Sequence, residues 1–315
     1  MKRVIWTNYV EGAALEPLKD IAEVITGADN GELMPRARVL ELAADADAIV
    51  NQAELRVDAE LLAAAPRLKI VANVALGTDN MDVALMATRG VVATNTPGVF
   101  TESTADCTLG LILSATRRLN EADGFVRSGA WKGFQPGRWD GALLQGKTLG
   151  ILGYGQIGRA VARRAEAFGM RIIHCDKQNS QDGQADALLS LLGQSDVVSV
   201  HVPLTDETRR MIGAREFAAM KPGAFFVNMA RGRVVDEQAL VDALASGHLG
   251  GAGLDVFENE PAVHPALLKM RNVVMTPHIG GGTRESRLAA RRLCAENVAR
   301  VLTGRPPLSA VQPVA

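Results

Sequence analysis

The chain has 315 residues, 47% of them hydrophobic, enough for two domains, or one large one, with substantial cores. Thirty-four basic residues against 35 acidic ones leave a net charge of −1, and no long basic stripe is present, so nucleic acid is not expected as a partner. Three scattered cysteines, Cys107, Cys175 and Cys294, suit a reducing compartment and neither a disulfide framework nor a zinc site.

At the N-terminus the apolar run Val4-Ile5-Trp6 is broken by Thr7 and Asn8, too short for a signal peptide. Short β-branched runs then alternate with helical patterns, the signature of an α/β fold with a parallel sheet. Strands are expected at Val4–Thr7, Val24–Thr26, Ala48–Asn51, Ile70–Val74 and Val91–Thr94, with helical segments such as Val39–Ala46 and Ala59–Ala64 between them. Thr101–Leu119 reads as one long helix with Thr101 as its N-cap; its apolar stretch Leu109–Leu113 is far short of a membrane span. The expectation is a cytoplasmic protein with no membrane partner. Arg127–Gly146, with five glycines, Pro136, Trp131 and Trp139, reads as an irregular excursion, and loops of this length are often functional.

A second alternating series starts at Thr148. Its expected strands are Thr148–Leu152, Arg171–Cys175, Val197–Val202, Ala224–Asn228, Gly253–Phe257 and Val273–Thr276. Helices are expected at Gln156–Phe168, Ala185–Leu192, Ala214–Met220, Asp236–Ser246 and Arg284–Leu302. Two α/β series imply two α/β domains with a boundary near Pro97.

Thr148–Leu152 feeds directly into Gly153-Tyr154-Gly155-Gln156-Ile157-Gly158, followed by a helix. The first glycine permits a tight turn, the second lets the backbone approach a pyrophosphate, and the third lets helix and strand pack closely. The phosphates would then meet free amides at the positive end of the helix. Asp176 follows Gly158 by 18 residues and ends the next strand, where a carboxylate accepts hydrogen bonds from ribose hydroxyls and repels a 2′-phosphate. NAD is therefore expected over NADP, with Lys177 as a neighbouring cation that would tolerate a phosphate.

Ligands in doubly wound folds bind beyond the carboxyl ends of the strands, and three polar residues stand there: Arg231, Glu260 and His278. Hydride transfer to a 2-oxo acid needs a cation for the carboxylate and carbonyl, an acid to protonate the carbonyl oxygen, and a group that tunes that acid. Arginine, histidine and a carboxylate fill those roles, and a carboxylate beside histidine favours the imidazolium. Arg233 and Glu258 are immediate rivals. Of the other histidines, His174 and His201 fall within predicted strands, His248 near a helix end and His264 in a loop.

Together these motifs resemble the D-isomer-specific 2-hydroxyacid dehydrogenase family over nearly the whole chain. The resemblance rests on Gly77-Thr78-Asp79-Asn80-Met81-Asp82, Asn95-Thr96-Pro97-Gly98, the Gly153–Gly158 turn and the Arg231, Glu260 and His278 motifs in order. It implies two Rossmann-like domains with parallel sheets. A flavodoxin-like substrate domain would comprise residues 1–98 and 283–315, and a dinucleotide-binding domain residues 99–282. It also implies a homodimer held through the cofactor domain and the long helix after Pro97.

Carried over by position, Arg231 would bind the substrate carboxylate and polarise the carbonyl, and His278 paired with Glu260 would be the general acid/base. The backbone amides of Ala75, Leu76 and Gly77 would hold the carboxylate. Thr104 and Gly280 match cofactor-binding positions. Gly153, Gly155, Gln156, Ile157 and Gly158 would seat the pyrophosphate, and Asp176 the ribose. His201, Val202 and Pro203 would border the adenine, with Thr208 near the phosphates, while Ala230 and Asp255 would fix the nicotinamide carboxamide.

The substrate reading is narrower. Members acting on 3-phosphoglycerate carry arginines where this chain has Asn51-Gln52-Ala53-Glu54. Phosphite-oxidising members resemble Phe125–Gly137 but place a lysine at the position of Leu76. Thr96–Asp106 and the Trp131-x-x-Phe134-x-Pro136 pattern look most like glyoxylate and hydroxypyruvate reductases and their 2-ketogluconate-reducing relatives. In such enzymes the position of Phe134 can be a tryptophan reaching into the partner's active site; phenylalanine lacks the indole N–H. The expectation is an NAD(H)-dependent interconversion of small 2-oxo acids and D-2-hydroxy acids. A competing class is a dinucleotide-sensing, co-repressor-like binding protein, for which no extended tail or partner groove is evident in the sequence.

Overall fold

The computed structural model describes residues 1–176 and 184–313; Lys177 lies outside them. The chain divides into two compact units, Met1–Phe100 with Gly282–Ala315, and Thr101–Gly281.

In the first unit, β1 (Lys2–Trp6), β2 (Ala22–Thr26), β3 (Ala48–Asn51), β4 (Ile70–Asn73) and β5 (Val92–Thr94) form an all-parallel sheet in the order β2-β1-β3-β4-β5. This is the flavodoxin-like order, with its switch point between β1 and β3. Every residue of β3 and β4 is buried, which explains their continuous apolar runs. Side chains alternate between the two faces. Ile5, Ile49, Val71 and Ala93 pack beneath α1 (Arg36–Ala43), α2 (Ala59–Ala64) and α3 (Val83–Thr88). Trp6, Val50, Ile70 and Ala72 face α10 (Arg284–Leu302). Asp58, Asp82 and Thr283 cap α2, α3 and α10 by accepting hydrogen bonds from Leu61, Leu85 and Ser286 N–H, the role these residue types favour.

The second unit opens with α4 (Thr101–Arg117) and α5 (Leu119–Arg127). It continues β6 (Thr148–Leu152), α6 (Gln156–Ala167), β7 (Arg171–Cys175), α7 (Gln184–Gln194), β8 (Val197–Val200) and α8 (Ala214–Ala219). Then follow β9 (Phe225–Asn228), α9 (Glu237–Ala245), β10 (Gly251–Leu254) and β11 (Val273–Met275). The strands pair in parallel in the order β11-β10-β9-β8-β6-β7, with α4 and α6 on one face and α7, α8 and α9 on the other. The order reverses at β6 and β8, so the glycine turn and the loop that starts at His201 flank one switch point.

Several features depart from the sequence expectations. The helix expected over Thr101–Leu119 ends at Arg117, and a second helix, α5, absent from the sequence reading, starts after Arg118, a left-handed residue with φ 54°. Its guanidinium chelates Glu121 at 2.9 and 3.0 Å and donates to the Arg138 carbonyl at 3.0 Å, which fixes a conformation that side chains seldom adopt. Thr101 is the first helical residue and not the cap. β10 spans Gly251–Leu254 and not Gly253–Phe257, because glycine suits a strand whose neighbours come close: a Cβ on Gly251 would sit 2.6 Å from the Asn272 carbonyl. The helix α3 had no counterpart in the sequence reading.

A Cβ on Gly158 would lie 2.2 Å from the Gly153 carbonyl, backbone against backbone, whereas one on Gly110 in α4 meets nothing within 4 Å. Gly158→Ala is expected to destabilise the chain by about 1–3 kcal/mol. Gly110→Ala should be neutral or stabilising by up to about 1 kcal/mol. Urea denaturation of the two variants checks the contrast.

Candidate active site

The loops that leave β9, β10 and β11 carry Arg231, Glu260 and His278. Asn228, the buried last residue of β9, donates from Nδ2 to the Arg231 carbonyl at 3.0 Å and accepts the Ala230 N–H at 3.0 Å. That pair of bonds folds the turn that presents Arg231, whose Nη1 donates to the Ala230 carbonyl at 2.9 Å. Gly232 follows, and a Cβ there would fall 1.9 Å from the Phe257 carbonyl. Only glycine lets the two loops come this close.

The loop after β10 is held by Glu237 in the first turn of α9. Its buried carboxylate accepts the Glu258 N–H at 2.7 Å and the His264 N–H at 3.0 Å. Glu260 then turns back: one oxygen accepts the Phe257 N–H at 2.9 Å, and the other lies 2.9 Å from Nδ1 of His278. Burial raises the pKa of Glu260, but the His278 hydrogen bond, the Phe257 N–H and the charges of His278 and Arg231 outweigh it, leaving the carboxyl below its ordinary range. An ionised Glu260 accepts from Nδ1–H, which leaves Nε2 of His278 for proton exchange.

His278 is left-handed, with φ 53°. Its N–H donates to the carbonyls of Asp255 and Thr276 at 2.9 and 3.1 Å. The carboxylate of Asp255, 2% exposed, accepts from Thr276 Oγ1 at 2.6 Å and from the N–H groups of Ile279 and Gly280, both at 2.8 Å. One buried carboxylate thus clamps both sides of His278. A Cβ on Gly280 would press on Met229 at 2.7 Å and Asp255 at 3.0 Å, with Thr104 of α4 next at 3.6 Å, so these four residues pack against one another.

The rivals are engaged elsewhere. Glu258 pairs with Arg210 at 2.7 Å, and Arg233 Nε donates to the Glu258 carbonyl at 3.3 Å. His248 bonds the Phe217 carbonyl, and His264 bonds Gln238. His174 stacks on Tyr154 with ring centroids 3.7 Å apart. Burial pushes His201 down to about 4; its Nε2 meets Ser199 Oγ at 2.8 Å, and its buried Nδ1 has no partner among the described residues. Burial, aided by the charge of Asp255, pushes the Cys107 thiol up to about 11, which makes it a poor nucleophile.

The glycine turn fits a dinucleotide. Gly153 has φ 90°, and its Cβ would strike the His201 carbonyl at 2.7 Å; Gly158 is closed off by Gly153 itself. A Cβ on Gly155 meets nothing. The protein demands the first and third glycines, and the second lines open space that a pyrophosphate fits. The N-terminus of α6 has no side-chain cap, so the amides of Gln156 and Ile157 suit an anion. Asp176 follows β7 and is half-buried; Val202 and Pro203 follow β8. Thr208 Oγ1 donates to the Pro203 carbonyl at 2.7 Å and accepts the Thr205 N–H at 2.8 Å, shaping that loop. Ala75, Leu76 and Gly77 form the turn after β4 at the carboxyl edge of the first unit's sheet.

A cavity of about 280 Å³ is lined by Ser114, Arg118, Glu121, Arg271 and Asn272 among others. It opens at the amino ends of β9–β11, the edge opposite the residues above, so the chemistry is not placed there. Among the described residues no group of three or more His, Cys, Asp or Glu side chains is placed to hold a metal ion, and no helix is long and apolar enough to cross a membrane.

Residues 109–280 match the model of the D-isomer specific 2-hydroxyacid dehydrogenase NAD-binding domain. The chain belongs to this family. The glyoxylate reductase of Thermococcus litoralis is 46% identical over 283 residues, covering 87% of this chain and 86% of that one. A solved structure from Thermus thermophilus superposes with a TM-score of 0.91 at 41% identity, covering 98% and 99% of the two chains. The NADPH-dependent glyoxylate/hydroxypyruvate reductase of Sinorhizobium meliloti, solved with citrate, gives 0.86 at 34%, covering 99% and 98%. This chain is accordingly an oxidoreductase of the 2-hydroxyacid class, built on two Rossmann-like parallel sheets.

Asn228, Gly232 and Glu237 hold the loops of the candidate site and were given no role in the sequence reading. The available signals were an asparagine closing an apolar strand and an Asp-Glu helix start. Gly232→Ala is expected to abolish measurable turnover and to lower the melting temperature, measured by circular dichroism. Because the folded-state pKa of Glu260 is lowered, its contribution to stability is full above the ordinary carboxylate range and disappears as pH falls through the folded value. Glu260→Gln should therefore flatten the acid limb of stability against pH, followed by urea denaturation.

Proposed function

We propose that this dehydrogenase reduces small 2-oxo acids, glyoxylate and hydroxypyruvate foremost, to the corresponding 2-hydroxy acids of the D series where a stereocentre forms. The observation that carries this reading is the Glu260–His278 pair, 2.9 Å apart and within the charge field of Arg231, at the carboxyl edge of the sheet that bears the glycine turn. Arg231 binds the substrate carboxylate and polarises the carbonyl. His278 delivers the proton from Nε2 to the carbonyl oxygen, and Glu260 holds the ring and stabilises its cation. A bound nicotinamide supplies the hydride. In the first unit, the turn Ala75-Leu76-Gly77 offers its backbone amides to a carboxylate, and on this reading that unit is the substrate domain and the second unit the cofactor domain. Glyoxylate reductases among the relatives support this substrate class over phosphite or 2-ketogluconate.

For the cofactor, Thr104, Gly153, Gly155, Gln156, Ile157, Gly158, His201, Val202, Pro203, Thr208, Ala230, Asp255 and Gly280 line its course in this reading. Asp255 already accepts three hydrogen bonds, so it serves the nicotinamide chiefly by packing against Gly280. Asp176 at the end of β7 supports NADH over NADPH through repulsion of a 2′-phosphate. For assembly, Leu119, Val126, Trp131, Phe134 and Leu143 are 48–89% exposed within one short stretch of chain. Apolar exposure of this extent marks an interaction face and supports a homodimer.

Arg231→Ala is expected to lower kcat/KM for glyoxylate by about a thousandfold or more, since a charge-assisted contact to the reacting group is lost, with NADH affinity unchanged in a fluorescence titration. Near-normal turnover would remove Arg231 from the site. Asp176→Ser should narrow the ratio of kcat/KM for NADH over NADPH, compared by steady-state kinetics. Leu119→Asp with Val126→Asp should halve the mass seen by sedimentation equilibrium if this face joins two copies.

A further inference from the structure

We infer that Asn95 and the pair Asn73–Asn80 are positioning residues for the substrate carboxylate, acting by turning a row of backbone N–H groups outward. The inference rests on the reading of the turn after β4 as the carboxylate site and names what holds that site in shape.

Three consecutive carbonyls of this turn are captured from within the unit. The Ala75 carbonyl accepts the Thr96 N–H at 3.0 Å. The Leu76 carbonyl accepts from Nδ2 of Asn95 at 2.8 Å, and the Gly77 carbonyl from Nδ2 of Asn73 at 2.9 Å. In a planar trans peptide the N–H points opposite to the C=O. Each capture therefore directs the next N–H, of Leu76, Gly77 and Thr78 in turn, away from the captured carbonyl; the first two belong to the carboxylate site proposed above, and Thr78 extends it by one residue. Among the described residues none of these three N–H groups donates a hydrogen bond. Successive N–H groups facing one way make a concavity for an anion.

The side chains that make the captures are themselves fixed. Asn73 is fully buried and exchanges two hydrogen bonds with Asn80, at 2.7 and 3.1 Å. Asn80 Nδ2 also reaches the Leu55 carbonyl at 3.0 Å and Asn51 Oδ1 at 3.4 Å. Asn95 is anchored through its carbonyl, which accepts from Ser309 Oγ at 2.7 Å; Ser309 Oγ in turn accepts from the buried Asn297 at 2.8 Å. An aspartate at either capturing position would set oxygen against carbonyl oxygen and add a negative charge beside the amide row, whereas asparagine supplies the donor without charge.

The test uses the full chain loaded with NADH, with Asn95→Asp, Asn95→Ala and Asn95→Gln. Loss of the donor is expected to raise KM for glyoxylate and the inhibition constant of oxalate by about tenfold in the Asp and Ala variants, the effect of one hydrogen bond to a charged-ligand site. The value of kcat at saturating glyoxylate and the NADH affinity should stay within about twofold. Asn95→Gln, which keeps an N–H donor, should recover part of the affinity. Asn80→Asp, which breaks the support from behind, should show the same KM-weighted pattern. A fall in kcat with KM and oxalate inhibition unchanged overturns the inference, as does wild-type behaviour in the Asp and Ala variants. A wild-type chain that neither reduces glyoxylate nor binds oxalate overturns the reading of the turn itself, and the inference with it.

Discussion

Every strand pairing named in both sheets is parallel, and that single constraint arranges the rest. A parallel strand cannot be joined to its neighbour by a tight hairpin; the chain must cross over through a helix and start again at the same edge. Every loop leaving a strand therefore collects at the carboxyl edge of its sheet. The glycine turn after β6, Arg231 after β9, Glu260 after β10 and His278 after β11 share an edge because the connectivity leaves them no other. The same holds in the first unit for the turn after β4 and for Asn95 after β5.

Collecting loops at an edge does not fix their shape. In this chain that task falls to a few polar side chains, most of them buried, at strand ends and in the segments that follow. Asp255 clamps the segment around His278, Glu237 clamps the segment that carries Glu260, and Asn228 clamps the turn that carries Arg231. In the first unit Asn73 and Asn80 do the same for the turn after β4. A hydrogen bond to a charged group contributes about 1.5–3 kcal/mol, and an unmet buried partner is more damaging than the bond is stabilising. Such groups therefore rigidify a loop as long as every bond is made. The left-handed backbone of His278 is tolerable because two carbonyls take its N–H and Asp255 holds the residues on either side.

The strands with dense β-branched runs were legible because burial on both faces leaves only apolar residues to choose from. Ala48–Asn51 and Thr148–Leu152, buried throughout, fall where the sequence placed them, and so does Arg171–Cys175, a partly exposed edge strand marked by Ile172 and Ile173. The start of β10 was not legible, since Gly251 is selected by the approach of Asn272 and Phe225, which are distant in sequence. The break at Arg118 was hidden for a similar reason: its left-handed conformation depends on Glu121 and on a carbonyl twenty residues away.

The sequence by itself determined the class of fold, the dinucleotide turn and the set of candidate chemical groups. Periodicity and glycine spacing are local properties of the backbone, and Arg231, Glu260 and His278 stand in motifs that carry their own context. Only the tertiary structure decided which members of each candidate pair meet. Glu260 and not Glu258 faces His278, because Arg210 and the start of α9 hold Glu258. It also decided which way the amides after β4 face. Pairing of side chains and the direction of a peptide plane depend on what lies across space, and no spacing along the chain encodes that.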